Sequence, residues 1–445
     1  MSGNRDGKSM IQAELERGKT VALWGNFGPG NLGNESTLKA ILHELRCVLP
    51  NAEISCICTG PACTATTHKV EAIPLSPVLI SGWEGGGRPA KVLRSVFLGV
   101  VNELYRWLNA FLALKGTDAV IIPGTGLLTD AYGLGNWGPY GLFEWSLIAK
   151  LCGCKLLFVS VGVGPIYTRA GRVLVKAALR LADFRSYRDV SSLQYLQGIG
   201  FRANEDAVYP DLVFSLPELR RARDISVGRP VVGLGLMGYV GKYSVEKSSM
   251  STYSNYLEGL VSFVSWLLGH GYDVRLLIGD LGDQGMREEF RALLKERSLG
   301  GEGDNRIISE PIGSVEDLLL QLAATDFVVA TRFHNVLLSL LLNRPTIAIS
   351  FHQKCSSLMA QMGLADYCLD INHLHADELI DQFCQLEKNA ADLQGTLAER
   401  VKECRNALEE QYAVIVGKMF PERDRALTPA SAVELRSSPG GHVRL

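Results

Sequence analysis

The residues best suited to chemistry lie in Ala330-Thr331-Arg332-Phe333-His334-Asn335, directly after the apolar run Phe327–Ala330. Arg332 offers a planar fork of donors that can hold an oxyanion bidentately. His334, one of eight histidines in the chain, can give or take a proton near neutral pH. A lone histidine at a helix start can also merely cap or pack; the neighbouring arginine and the strand-end position favour chemistry here. A second candidate is Arg188, in Arg185-Ser186-Tyr187-Arg188-Asp189, ahead of a helix expected from about Ser191. An arginine beside the positive end of a helix dipole suits a phosphate or carboxylate. The plainer alternative is an Arg–Asp surface pair, and the functional reading is weaker for Arg185 than for Arg188. Lys354, after the run Thr346–Ser350, is either a phosphate partner or a solvated loop lysine.

Two glycine loops could bring backbone close to a ligand. In Gly25-Asn26-Phe27-Gly28-Pro29-Gly30-Asn31-Leu32-Gly33-Asn34, Asn31 and Gly33 stand where the following helix would offer free N–H groups to an anion. The loop matches neither GxGxxG nor the P-loop pattern, and a tight strand–helix turn explains it equally well. In Pro123-Gly124-Thr125-Gly126-Leu127-Leu128-Thr129-Asp130, Gly124 and Gly126 leave room at a strand end, and Asp130 could take a proton from a hydroxyl. Aspartates in such places more often cap a helix or close a turn.

The elements that must position these groups alternate in type. Strands are expected at Thr20–Trp24, Glu53–Cys58, Asp118–Pro123 and Lys155–Val161, with helices at about Glu35–Leu49, Phe143–Leu151 and Ala170–Ala182. The segment Leu216–Pro230 is charged and ends in proline. The pattern then restarts, with strands Val231–Leu236, Asp273–Ile278, Phe327–Ala330 and Thr346–Ser350 among helices, and a long charged helix over Ala390–Met419. Strands alternating with crossover helices predict parallel sheets. The fold class is α/β, with two Rossmann-like domains facing a central cleft, residues 1–220 and 221–420. Residues 421–445 form an expected disordered tail. In such sheets ligands bind beyond the carboxyl ends of the strands; the five loops follow expected strands or precede expected helices.

Composition narrows the class. The chain has 445 residues, 47% hydrophobic and 21% charged, and a net charge of -2, which argues against a nucleic-acid binder. The ten cysteines include two CxC pairs, Cys56/Cys58 and Cys152/Cys154, in strand-like runs without companion ligands. They read as reduced core residues rather than a metal site, and a cytoplasmic chain is expected. Val92–Leu114 is an amphipathic helix, with Leu93, Val96, Val100, Leu104, Trp107, Leu108 and Phe111 near helical spacing. Its expected use is core packing. The minority reading is a membrane surface, which Trp107 and the flanking basic residues would suit. Read from residues alone, the chain is a cleft enzyme acting on a phosphorylated or carboxylated small molecule, with no metal signature.

The loops, in order and content, resemble the polysaccharide pyruvyl transferase family over about Val21 to Asp370. The motifs are Gly28-Pro29-Gly30-Asn31-Leu32-Gly33-Asn34-Glu35, Pro123-Gly124-Thr125-Gly126-Leu127-Leu128, Arg185–Asp189 and Tyr209-Pro210-Asp211. The most specific block is Thr331-Arg332-Phe333-His334, continuing through Asn343-Arg344-Pro345 to Lys354 and Met362-Gly363-Leu364. Asn34 stands where the family commonly has Asp, and Pro123-Gly124-Thr125-Gly126 replaces a triple-glycine run. The resemblance implies a fold similar to two-domain GT-B type glycosyltransferases, with phosphoenolpyruvate as donor and no cofactor. The implied acceptor is a sugar or glycan, free or lipid-linked, and the implied place is the cytoplasm or the inner face of a membrane. It assigns Arg188 and Arg332 to the donor anions and His334 to proton transfer. The competing readings are a nucleotide-sugar glycosyltransferase of the same architecture, an inactive partner in envelope-polysaccharide assembly and, more remotely, a dinucleotide dehydrogenase.

Overall fold

A computed structural model describes residues 18–80, 88–135, 138–203, 206–217, 228–238, 249–300, 305–351 and 353–420. The expected tail over 421–445, the proposed boundary at 220/221 and His352 lie outside them. The first sheet contains β1 (Thr20–Gly25), β2 (Glu53–Cys58), β3 (Glu71–Pro74), β4 (Ala119–Pro123), β5 (Lys155–Val161), β6 (Phe184–Tyr187) and β7 (Ala207–Val208). Its spatial order is 3-2-1-4-5-6-7. The second contains β8 (Val231–Leu236), β9 (Asp273–Ile278), β10 (Ile307–Ile308), β11 (Phe327–Ala330), β12 (Thr346–Ser350) and β13 (Cys368–Asp370), in the order 10-9-8-11-12-13. Neighbouring strands are parallel throughout both sheets. Each order is doubly wound, with a switch point between β1 and β4 and between β8 and β11. These are two Rossmann-like units, as the alternation of elements predicts.

The strands form because helices cover both faces. Parallel strands then read as continuous apolar runs, and β4 and β8 are buried along their whole length. Cys56, Cys58 and Cys154 are buried within these layers as free thiols, in keeping with a core role. The strand Phe184–Tyr187 escapes the sequence pattern because Arg185 sits in it. Arg185 forks onto Asp206 through Nε and Nη2, both at 2.8 Å, and Tyr187 donates to the same carboxylate. That pair fastens β6, so Arg185 is a structural residue.

The long helix Ala390–Met419 crosses from the second sheet back onto the first. Gln411 is fully buried and donates to Ser160 Oγ at 3.0 Å and Ser186 Oγ at 2.7 Å, at the ends of β5 and β6. Ser160 has a φ of 49°, an uncommon conformation for a non-glycine residue, and the Gln411 bonds lie directly on it. Tyr412 and Ser215 share a bond at 3.2 Å. The last helix of the 221–420 span is thus built into the first unit.

The helix Arg88–Leu114 departs most from expectation. Ala110 and Leu114 face the core, and Trp107 is turned inward, its indole N–H bonded to Glu103. The main apolar stripe points the other way: Val100, Leu104, Leu108 and Phe111 are all exposed. Core packing therefore accounts for the narrower face only.

Truncating Gln411 to Ala should leave two buried serine hydroxyls short of a partner, at a cost of about 1–3 kcal/mol. Urea unfolding of the variant beside the parent chain checks this; an unchanged midpoint would show that the crossing helix is fixed elsewhere.

Candidate active site

The first unit brings the loop after β1 and the helix Leu32–Val48. Asn31 caps that helix, accepting from the Asn34 N–H at 3.1 Å, while its Nδ2 donates 2.8 Å to Asp280 in the loop after β9. The Leu32 N–H donates to the Gly279 carbonyl and the Leu281 N–H to the Gly30 carbonyl, at 3.2 and 2.9 Å. The Gly28 N–H goes to Glu35, and the Asn34 side chain to the Asn26 carbonyl. This is a correction to the anion-cradle reading of the loop. Its polar groups hold the two units together, and Asn31 is a stitch between them.

Gly33 has a different reason to be glycine. A Cβ there would lie 1.9 Å from His334 Nδ1. The imidazole from the second unit therefore rests on bare backbone of the first. His334 sits in the first turn of the helix Phe333–Leu341, which starts where β11 ends. Its Nε2 is sealed from water and has no hydrogen-bond partner. Burial, and then the positive charges of Arg188, Lys354 and Arg332, hold its pKa well below the ordinary histidine value. The ring is neutral at physiological pH, and the electrostatics place these three cations around it.

Arg188 reaches the site from the end of β6 and is buried. Its guanidinium lies 4.5 Å over the Phe333 ring, and Nη1 donates to Asp211 at 3.1 Å. A Cβ on Gly162 would come within 2.6 Å of its Nε, so glycine is needed there too. That Nε makes no hydrogen bond. Lys354, in the first turn of the helix Gln353–Gln361, holds its ammonium 5.7 Å from the Phe333 ring and 5.5 Å from Phe351. Burial, with repulsion from Arg188 and Arg332, pushes its pKa down to about 8. It is no ordinary solvated lysine.

Arg332 corrects an expectation in part. Its Nε and Nη2 form a bidentate pair with Asp283, both at 2.7 Å, and Asp283 also accepts from the Gly238 N–H. The fork expected to hold a substrate anion already holds a protein carboxylate. Nη1 lies 3.9 Å from Asp280. Tyr132, carried by the first unit, lies within electrostatic reach of Arg332 and Asp280.

Asp130 is also corrected. Its oxygens accept from the Tyr167 N–H at 2.7 Å and from the Thr168 N–H and hydroxyl at 2.8 and 2.6 Å. Burial opposes the charge, but the bonds from Thr168 and Tyr167 outweigh it and hold the carboxyl below its usual range. Such a group is a poor base; it fastens the turn before the helix Arg169–Leu181, the commoner use of aspartate. Gly124 packs on the Ser160 carbonyl, which a Cβ would approach to 2.4 Å, so its smallness serves strand packing. Gly126 alone faces open space. Asp211 and Asp283 received no role from the sequence. The signal available for both was a strand-end aspartate beside glycine or proline, in Gly279-Asp280-Leu281-Gly282-Asp283 and Tyr209-Pro210-Asp211.

Residues 31–353, which carry every residue of this constellation except Lys354, match the family described as polysaccharide pyruvyl transferase. The chain belongs to that family. A transferase role in polysaccharide biosynthesis follows from the membership. Among curated proteins, the amylovoran biosynthesis protein AmsJ of Erwinia amylovora is 20% identical over 412 residues, covering 86% of this chain and 95% of AmsJ. Solved structures share the fold. A glycosyltransferase from Rickettsia africae superposes with a TM-score of 0.55 at 11% identity, covering 91% of this chain and 99% of its own. Anabaena Alr3699/HepE, solved in complex with UDP, gives 0.55 at 13% identity, covering 89% and 100%. The Neisseria meningitidis UDP-GlcNAc 2-epimerase gives 0.53 at 10% identity, covering 89% and 99%. The two-unit architecture is that of GT-B glycosyltransferases and these epimerases.

Gly33→Ala should favour the helix, since alanine is the better helix former by about 1 kcal/mol. It must nevertheless displace His334. Turnover should fall roughly 100-fold, as for an angstrom-scale misplacement of a catalytic group, with the thermal melt little changed. Full activity in this variant would show that the His334–Gly33 contact is dispensable.

Proposed function

We propose that the chain transfers the pyruvyl group of phosphoenolpyruvate to two hydroxyls of a sugar, forming a pyruvate ketal. The observation that supports this most is His334, with an unpartnered Nε2, set among Arg188, Lys354 and Arg332 at the seam of the two units. The donor carries a phosphate and a carboxylate, and this cleft concentrates positive charge around one proton-transfer group. The loops of the first unit, with Gly126 open to space, form the acceptor side.

The chemistry balances without a cofactor. A proton adds to the donor methylene, which becomes methyl, and C2 becomes electrophilic. One sugar hydroxyl adds to C2, the C2–O bond to phosphate breaks, and a second hydroxyl closes the ketal. Two C–O bonds form and one breaks. One hydroxyl proton balances the proton now on the methyl, and the other leaves with phosphate. In this reading His334 moves the proton, Arg188 and Lys354 hold donor anions, and Arg332 adds charge while Asp283 fixes its position.

The free site holds His334 neutral first through burial and then through the repulsion of its cationic neighbours. A polyanionic donor cancels that repulsion, so binding should raise the pKa of His334 and draw a proton from solvent. Calorimetry of phosphoenolpyruvate binding in buffers of different ionisation enthalpy should reveal net proton uptake, lost in His334→Ala. Donor binding without proton exchange would remove this part of the mechanism. The decisive assay is incubation with phosphoenolpyruvate and a glycan panel, reading phosphate release and the mass gain on the sugar. His334→Ala should lower turnover by roughly 10²–10⁴-fold while leaving the fold intact. Glycan extension from a nucleotide sugar, with phosphoenolpyruvate inert, would replace this reading by glycosyl transfer.

Lys354 gives a pH signature. Its pKa near 8 means that the cation is present below that pH and lost above it. KM for the donor should therefore rise as pH increases through about 8, and Lys354→Arg, which keeps its charge, should flatten the rise. An unchanged profile in that variant would exclude Lys354 as the titrating group.

A further inference from the structure

The helix Arg88–Leu114 leaves a long apolar surface uncovered. Phe97, Val100, Leu104, Leu108, Phe111 and Leu112 are between 42% and 67% exposed. At 100° per residue they fall within one stripe, opposite Arg106 and Ala110, which face the body. Soluble surfaces seldom gather this many large apolar side chains without a use. Val78, Leu79 and Ile80, in the segment before the helix, are also exposed. They are tied to the helix by Asn102, which accepts from the Leu79 and Ile80 N–H groups at 3.1 Å and donates to the Ile80 carbonyl.

The charges select the occupant. From Arg88 to Lys115 the sequence contains one acid, Glu103. Glu103 is committed to Trp107, Tyr140 and Arg106 on the inner side. Lys115 follows Phe111 at helical spacing and is exposed, and the sequence from Arg88 to Lys115 carries five basic residues against that one acid. An exposed apolar stripe that ends at Lys115, on a helix of net positive charge whose one acid is committed inward, complements an anionic lipid surface. A second copy fits poorly. Antiparallel pairing would set Lys115 against the basic end of the other helix, and parallel pairing would align like with like. Among the described residues no helix is long and apolar enough to cross a membrane, so contact with lipid would be lateral.

We infer that this helix face, with the Val78–Ile80 strap, docks the protein on a membrane rich in anionic lipid. The helix lies in the interface plane and its apolar side chains enter the acyl boundary. None of the six belongs to the proton-transfer or anion-binding set, so docking and catalysis are separable.

The test uses the full chain and vesicles of phosphatidylcholine, with and without phosphatidylglycerol, at low and high salt. Cosedimentation should occur with the anionic vesicles and weaken with salt. The double variant Leu104→Gln/Leu108→Gln should bind roughly 100-fold more weakly, because two leucine side chains no longer enter hydrocarbon. Its thermal melt, and its phosphate release with a water-soluble glycan, should match the parent. Absence of binding to both vesicle types would overturn the proposal. So would a dimer in solution that the same double variant dissociates, since the stripe would then be a protein interface. Vesicle binding is read without donor or acceptor, so failure of the pyruvyl-transfer reading would leave this result standing, and the reverse.

Discussion

The contact between the His334 ring and the bare Cα of Gly33 constrains much of this molecule. It joins a catalytic candidate on one sheet to a helix start on the other, and it tolerates no side chain on the receiving residue. Everything nearby keeps that approach possible. The Asn31–Asp280 bond, the Leu32–Gly279 and Gly30–Leu281 backbone bonds and the returning helix through Gln411 all hold the two units in register. A loop that looks made for a ligand is occupied in making a joint. The helix N-terminus still contributes, because its polar groups set where the partner unit lies.

The second constraint is electrostatic. Three cations and a neutral histidine meet at the seam, and the protein compensates the charges unequally. Arg332 has Asp283 and Arg188 has Asp211, each a close carboxylate partner. Aromatic faces add to this, with Phe333 beneath Arg188 and Lys354. His334 and Lys354 have their pKa values driven downward, because burial and like charge work together there. In the pyruvyl-transfer reading proposed above, an anionic donor would relieve this repulsion and couple its arrival to the proton state of the histidine.

Much of the fold was legible. Glu53–Cys58, Lys155–Val161 and Thr346–Ser350 are strands at their expected bounds, because strands buried on both faces must be continuously apolar. Several short strands were not legible. Phe184–Tyr187 hides behind Arg185, whose cost in a sheet is offset by Asp206, a partner 21 residues away. The helix Arg88–Leu114 has the right period, but periodicity states that one side differs from the other and not which side faces the core. The inward set is Ala110, Leu114 and Trp107, smaller in number than the outward stripe, so counting apolar residues pointed the wrong way.

The site divides along the same line. The sequence by itself singled out the candidate groups: Arg332, His334 and Lys354 follow legible strands, where a parallel sheet must open its loops, and Arg188 precedes a legible helix. It also determined the family, through blocks of residues rather than any single one. Only the tertiary structure decided which of these groups remain available. Asp130 and Asn31 are bonded to partners 37 and 249 residues distant, and the Arg332 fork is closed by Asp283, 49 residues away. The physical reason is that a polar side chain's type states what it can bond. Whether that capacity is still open depends on which distant donors and acceptors the packing of two sheets brings within about 3 Å, and no local pattern encodes that distance.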